Sequence, residues 1–362
     1  ISDGIRAAVK TTGIVLALSL LWFLNHDPAW ASLSPPGYLA ELILKVLKRS
    51  QIILVVLANM ALFGTLIWIA TRGDIIMRLA AMAVVAAMLR ASVVSGSWVN
   101  LLVKSPIVWH PGFEATLPPF AFEVLKFNWI YNFDYLKYLL VLLPGTLVGE
   151  FLHRNASKAV EEDFQSASSR TNAGALTALA ILLTVYVHIA LQARWLPTLL
   201  PITALAGWAM WMVAQDIAGR RGEILRHLVA WGTFWLVLGL VCEPLDGGIR
   251  KSPPPGTHNF SYYFVSVGLS IMLLLALTVW IDFFGRRRWF FWLVENGQNP
   301  MVAYVAIRNL IPWAFAMWGM DAAFSREFGG QVIPMTAWAV LKVTLLIAFT
   351  CVCTRMKWVW RT

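Results

Sequence analysis

A chain of 362 residues that is 59% hydrophobic and 13% charged, with a mean hydropathy of +0.68, carries too little charge to cover a soluble domain, where about 25% is usual. Its formal net charge of +10 does not point to nucleic acid, because no basic stripe interleaved with aromatics accompanies it. Three cysteines in apolar settings, Cys242, Cys351 and Cys353, offer neither a disulfide framework nor a metal centre.

The apolar residues fall in runs of about 17 to 23, the length at which a helix crosses roughly 30 Å of hydrocarbon. Without water, backbone groups must pair inside each segment, so these runs are helices; a barrel would need alternating segments of about ten residues. The expected fold is an all-α polytopic transmembrane helix bundle, a single transmembrane domain over 1–362. Ten spans are predicted near residues 8–24, 51–71, 76–95, 133–153, 173–192, 197–215, 227–243, 262–284, 299–318 and 335–354. The 19 Trp residues suit two interfacial belts, where an indole is half wet and half buried. The first span begins almost at once, without an initiating Met or a charged signal region, which predicts a processed chain or a start upstream of Ile1. Tyr38 to Ser50, with Lys45, Lys48 and Arg49, is amphipathic and either lies in the interface or leads into the second span.

Basic residues set the orientation. Arg6 and Lys10, Arg72 and Arg78, Arg154 with Lys158 and Arg170, Arg220 with Arg221 and Arg226, Arg286 to Arg288, and Arg355 with Lys357 and Arg361 all fall on one side if ten spans are counted. They mark that side as cytoplasmic, with both ends of the chain there; the Lys45–Arg49 cluster alone falls opposite. A polar stretch, 155–172, reads as a cytoplasmic linker. Outer loops are expected at 25–37, 96–132 and 243–260, the last two rich in Pro and aromatics like a vestibule roof.

Polar groups at membrane depth cost a few kcal/mol each unless partnered, so each is a functional candidate. Arg90, Arg308, Asn59 and His188 lie within predicted spans; Asp134, Lys137 and Glu150 bracket the fourth. Lys137 reads best as snorkelling to the interface. His188 could ligate a haem or chlorophyll, but it has no matched partner. Leading into span nine, Glu295-Asn-Gly-Gln-Asn-Pro-Met-Val-Ala-Tyr304 gathers Asn296, Gln298 and Asn299 where a helix starts, a place that favours an anionic group. Asn299 before Pro300 is also a common N-cap arrangement; that accounts for those two residues but not for Asn296 and Gln298. Arg250 and Lys251, after a Gly-Gly bend with Asp246 near, could hold an anion at the outer face. His110 and His258 are the outer histidines, each open to a surface or a general-base role.

Four stretches resemble the heparan-α-glucosaminide N-acetyltransferase family, especially its bacterial membrane relatives. Lys45-Val-Leu-Lys-Arg-Ser-Gln-Ile-Ile is similar to the family's Arg-x-x-Gly-Val-Leu-Gln-Arg-Leu segment, with Ser50 and Gln51 departing from it. Phe133-Asp-Tyr-Leu-Lys through Val148-Gly-Glu resembles the span that an Asp opens and a Gly closes. Gly248-Ile-Arg-Lys-Ser-Pro, followed by Phe260-Ser-Tyr-Tyr-Phe, resembles the Ile-x-Lys and Ser-Tyr loop, and Asn296-Gly-Gln-Asn-Pro through Tyr304 resembles a Gly-x-Asn-x-Tyr segment. The family's opening spans, with a Leu-Asp-x-x-Arg-Gly start and a histidine thought to serve catalysis, have no counterpart, so the resemblance predicts a chain that begins just beyond them.

The resemblance implies a multi-pass protein of the bacterial inner membrane that moves an acetyl group from acetyl-CoA to a sugar amine or hydroxyl. Asp134, Arg250, Lys251, Asn296, Gln298 and Asn299 would be the binding or positioning residues, with no catalytic base assigned and no resident cofactor or metal. Acetyl-CoA is the expected donor substrate, a carbohydrate the acceptor, and membrane lipid the surroundings, with a homodimer or other membrane subunits as further partners. Two other readings stand beside it: a non-catalytic membrane subunit that binds lipids or pigments, and a transporter, suggested only by the intramembrane charges.

Overall fold

The computed structural model describes residues 56–100, 133–159, 167–249, 259–311, 314–315, 319–329 and 331–358. Among these, every regular element is helical, and seven helices are long and apolar enough to cross a membrane: Ile75–Ser92, Phe133–Asn155, Ser169–Gln192, Leu196–Gln215, Gly219–Asp246, Phe260–Phe283 and Pro334–Arg355. They correspond to predicted spans three to eight and ten, and the protein is an all-α polytopic membrane bundle. Predicted span two is seen as the shorter helix Val56–Ala70. Span one, the amphipathic Tyr38–Ser50 segment, Arg250, Lys251, His110 and His258 lie outside the described residues, as does the side chain of Arg308.

The chain divides into two compact units. The larger, residues 59–117 and 131–286, contains most of α1 (Val56–Ala70), then α2 (Ile75–Ser92), α3 (Leu139–Ala159) behind a 3-10 turn at Phe133–Tyr138, α4 (Ala167–Gln192), α5 (Leu196–Gln215), α6 (Gly219–Asp246) and α7 (Phe260–Thr278). Local chemistry sets several ends. Asp74 caps α2 by accepting from the amides of Ile76 and Met77, at 2.9 and 3.1 Å. Gly247, in the left-handed region at φ 67°, closes α6. Within the stretch read as a linker, α3 runs on to Ala159 and α4 begins at Ala167.

The core of this unit is apolar: Leu139, Leu140, Leu176, Leu225, Trp235, Leu236 and Met272 are almost wholly buried. The outward faces are equally apolar, with Leu182 64% and Leu205 62% exposed, as expected of helices solvated by acyl chains. Since lipid is as apolar as Leu, helix pairs are held by close packing at small residues. Helices α6 and α7 meet in this way. A Cβ added to Gly268 would lie 2.7 Å from the Leu236 amide nitrogen and 2.9 Å from the Gly232 carbonyl oxygen; one added to Gly239 would lie 2.6 Å from the Val265 nitrogen.

A latch closes the α6–α7 hairpin. Asn259 accepts from the Tyr262 amide (3.0 Å) and the Ser261 hydroxyl (2.6 Å) while donating to the Gly248 carbonyl (2.8 Å). Asp246 accepts from the Ser261 amide at 2.7 Å. Helix α7 ends in a wider π turn, Val279–Phe283.

The smaller unit has as its described helices α8 (Phe291–Gln298), α9 (Pro300–Val305) with a π turn at Ala306–Leu310, α10 (Met320–Phe328) and α11 (Val332–Arg355). Predicted span nine therefore opens as a short helix that widens, not as one regular helix from its start.

Candidate functional site

Within the larger unit the arginines that follow predicted spans two, four, six and eight meet at one end. Arg78 and Arg154 share Glu150, Arg220 donates to Asn155, Arg221 lies over the Phe283 ring, and Arg170 and Arg286 line one cleft.

Arg78 departs from the expectation of a loop residue. Its side chain is 1% exposed and its Nη2 lies 2.8 Å from Glu150 Oε1. The guanidinium also donates to the Thr71 hydroxyl at 3.2 Å, the Thr146 hydroxyl at 3.1 Å and the Thr71 carbonyl at 3.3 Å. Trp68 Nε1 donates to the same carboxylate oxygen. Such a set of partners is what permits a charge to be buried at all.

Asp134 opens the 3-10 turn before α3 and pairs with Lys137 at 3.2 Å, both near the surface. Lys137 thus has an ion-pair partner in addition to any snorkelling role. Next to this pair, Tyr138 packs edge-on against Tyr263 at 5.9 Å, and Tyr262 against Tyr263 at 5.4 Å. The contact places Asp134 at the same end as the α6–α7 latch. His188 turns its Nδ1 to the Thr184 carbonyl, 2.8 Å away, on an exposed face of α4; Arg90 is exposed, and Asn59 is buried.

In the smaller unit, the Glu295–Asn299 segment lies along the second half of α11. Asn296 donates to the Trp292 carbonyl (2.8 Å) and to Cys351 Sγ (3.3 Å). The Thr354 hydroxyl donates to the Glu295 carbonyl at 3.1 Å. Arg355 Nε donates to both carboxylate oxygens of Glu295, at 3.0 and 3.2 Å, and its guanidinium stacks over Phe291. Asn299, wholly buried, donates to the Trp358 carbonyl at 2.8 Å. Gln298 is exposed.

Capping does not explain Asn299. It stands in the N-cap position before Pro300, but its side chain makes no capping hydrogen bond. The amide nitrogen is directed instead to the Trp358 carbonyl, three residues past the end of α11. The seam therefore unites Asn296 and Asn299 with three residues not foreseen as site residues, Glu295, Thr354 and Arg355.

A second pair in this unit was not foreseen. Lys342, inside the α11 span, pairs with Asp321 of α10, and Trp338 Nε1 donates to the same carboxylate at 2.8 Å. The Lys342 ammonium lies 5.5 Å from the ring centres of both Phe315 and Trp338. Burial, the largest single influence on Asp321, opposes its ionisation; hydrogen bonds from Lys342 and Trp338 and the Lys342 charge together outweigh it and hold the carboxyl below its ordinary range. A lone Lys in a long apolar run is easily passed over as snorkelling, and its acid lies 21 residues upstream, beyond any helical spacing.

Residues 3–152 match a family described as a domain of unknown function (DUF5009). No curated protein and no solved structure matches the chain.

Proposed function

We propose that the chain is an acyltransferase-like protein of the bacterial inner membrane, with both its ends cytoplasmic, that takes an acetyl group from acetyl-CoA and passes it toward a sugar amine or hydroxyl. The observation that supports this reading is the Glu295–Asn299 seam. It combines a carboxylate, two amides, a hydroxyl and a guanidinium at the end of a span, where helix meets water. Acetyl transfer to an amine forms a C–N bond as the thioester C–S bond breaks, so it needs a proton acceptor for the amine and a donor for the developing oxyanion. Arg355, 61% exposed, is the seam's outermost cation and would meet the phosphates of the donor; Asn296 and Asn299 would position the thioester. Asp134, Arg250 and Lys251 would recognise the acceptor.

Isothermal calorimetry tests this with acetyl-CoA titrated into the purified full chain. Measurable binding that weakens in Asn296→Ala and Arg355→Ala is expected. No heat of binding to a folded protein would count against the proposal and for a second reading, a non-catalytic membrane subunit that binds lipids or pigments. The interior of the larger unit favours that alternative, since it is filled by Leu, Val and aromatic side chains such as Trp235 and Phe264, packed at 5.5 Å.

A further inference from the structure

We propose that the larger unit carries a built site for the phosphodiester headgroup of an anionic glycerophospholipid, between the first turn of α4 and the π turn that ends α7. A cleft of about 530 Å³ opens there, lined by Arg170, Trp280, Phe283, Phe284 and Arg286. Its two cations come from different elements. Arg170 stands in the first turn of α4. Arg286 follows Gly285, whose φ of 65° turns the chain away from the helix axis. A third cation, Arg221 of α6, holds its guanidinium 5.9 Å from the Phe283 ring centre. The acid on the same turn is Asp282, and Glu223 is paired with Arg220 at 3.1 Å. Among the described residues the lining itself carries two arginines and no carboxylate, which makes it positive.

The rest of the lining decides the ligand class. A site for a soluble phosphate has no use for three aromatic rings, whereas an amphipathic ligand does. Phe284 is 38% exposed and packs toward α4, where a Cβ on Gly174 would lie 3.6 Å from its Cζ. Trp280 and Phe283 close the apolar span Phe260–Phe283, so the cleft sits where hydrocarbon gives way to headgroups and where aromatic side chains gather. Guanidinium groups bind phosphate through paired N–H donors in a fixed fork, which an ammonium cannot reproduce. The cleft thus presents arginines at headgroup depth and rings at glycerol and upper acyl depth, in register with one lipid.

The test uses the full chain in a neutral detergent, titrated with short-chain phosphatidylglycerol, short-chain phosphatidylcholine and inorganic phosphate, followed by microscale thermophoresis. Phosphatidylglycerol is expected to bind more tightly than phosphatidylcholine, and inorganic phosphate at equal concentration not to displace it. Each arginine removed should weaken phosphatidylglycerol binding about fivefold, and the Arg170→Gln/Arg286→Gln pair about twenty-five-fold. Arg90→Gln, exposed on α2, should leave it unchanged. Arg170→Lys/Arg286→Lys keeps the charge without the fork and should fall between, which preserves the test if the Gln pair does not fold. Equal affinity for the two lipids, or a folded Gln pair that binds phosphatidylglycerol as wild type does, would overturn the proposal. Displacement by inorganic phosphate would reassign the cleft to a soluble anion.

Discussion

Removing Arg78 is expected to expose how the larger unit tolerates charge inside its bundle. Its guanidinium, 1% exposed, faces one carboxylate, two hydroxyls and one carbonyl. Breaking a buried ion pair by deleting one partner costs about 3–5 kcal/mol, because the other charge is left uncompensated. The two halves of this pair should not cost the same. After Arg78→Met, Glu150 is still 23% exposed, keeps the Trp68 indole and has Arg154 at 3.7 Å, which places the loss near the lower end, about 3 kcal/mol. Glu150→Gln instead strands a buried guanidinium among neutral partners and belongs near the upper end, about 5 kcal/mol. The Arg78→Met/Glu150→Gln pair removes both charges and should cost well under the sum, with a coupling of about 2 kcal/mol or more. Reversible unfolding of the micelle-embedded protein, followed by far-UV circular dichroism, measures all three variants. Effects that add to within about 0.5 kcal/mol would refute the reasoning, since independent sites behave in that way.

Three further outcomes are expected. Single cysteines at positions 220 and 286 should resist an impermeant thiol reagent on intact cells, while those at 110 and 250 react; labelling from outside at 220 would reverse the topology. Gly268→Ala should destabilise by roughly 1–3 kcal/mol by overpacking, because beyond the Leu236 Cγ at 2.5 Å its obstacles are the Leu236 nitrogen and Gly232 oxygen, backbone atoms that cannot rotate away; an unchanged unfolding midpoint would mean that α6 and α7 are not so close. The folded carboxyl of Asp321 lies below its ordinary value, so its contribution is complete above the unfolded pKa and is lost as pH falls through the folded one. An acid titration of stability from about pH 5 downward should be shallower for Asp321→Asn than for wild type, and identical slopes would contradict the pairing with Lys342.

Much of the fold could be read from run length, because the bilayer fixes how many apolar residues a helix needs. Spans three to eight and ten lie where the runs are, and the arginines after spans two, four, six and eight share one end. Features that depend on what lies opposite a residue were not readable in the same way. Arg78 sits four residues past Asp74 and looks like part of a short basic loop, yet the Asp74 cap starts α2 before it and turns it toward Glu150, 72 positions away. Asn299 has the sequence setting of a cap, and only the nearness of Trp358 explains why its amide points elsewhere. Asn296 was legible as a polar group too many for capping; Glu295 and Arg355 were not, because their meeting spans 60 positions.

The proposed transfer is tested most directly in sealed vesicles holding the full chain, with radiolabelled acetyl-CoA on the side of Arg355 and glucosamine on the other. Labelled N-acetylglucosamine should accumulate on the glucosamine side, at a rate that falls at least tenfold in Asn296→Ala. No labelled sugar above that of protein-free vesicles, from a wild-type chain shown to be folded, would contradict the account.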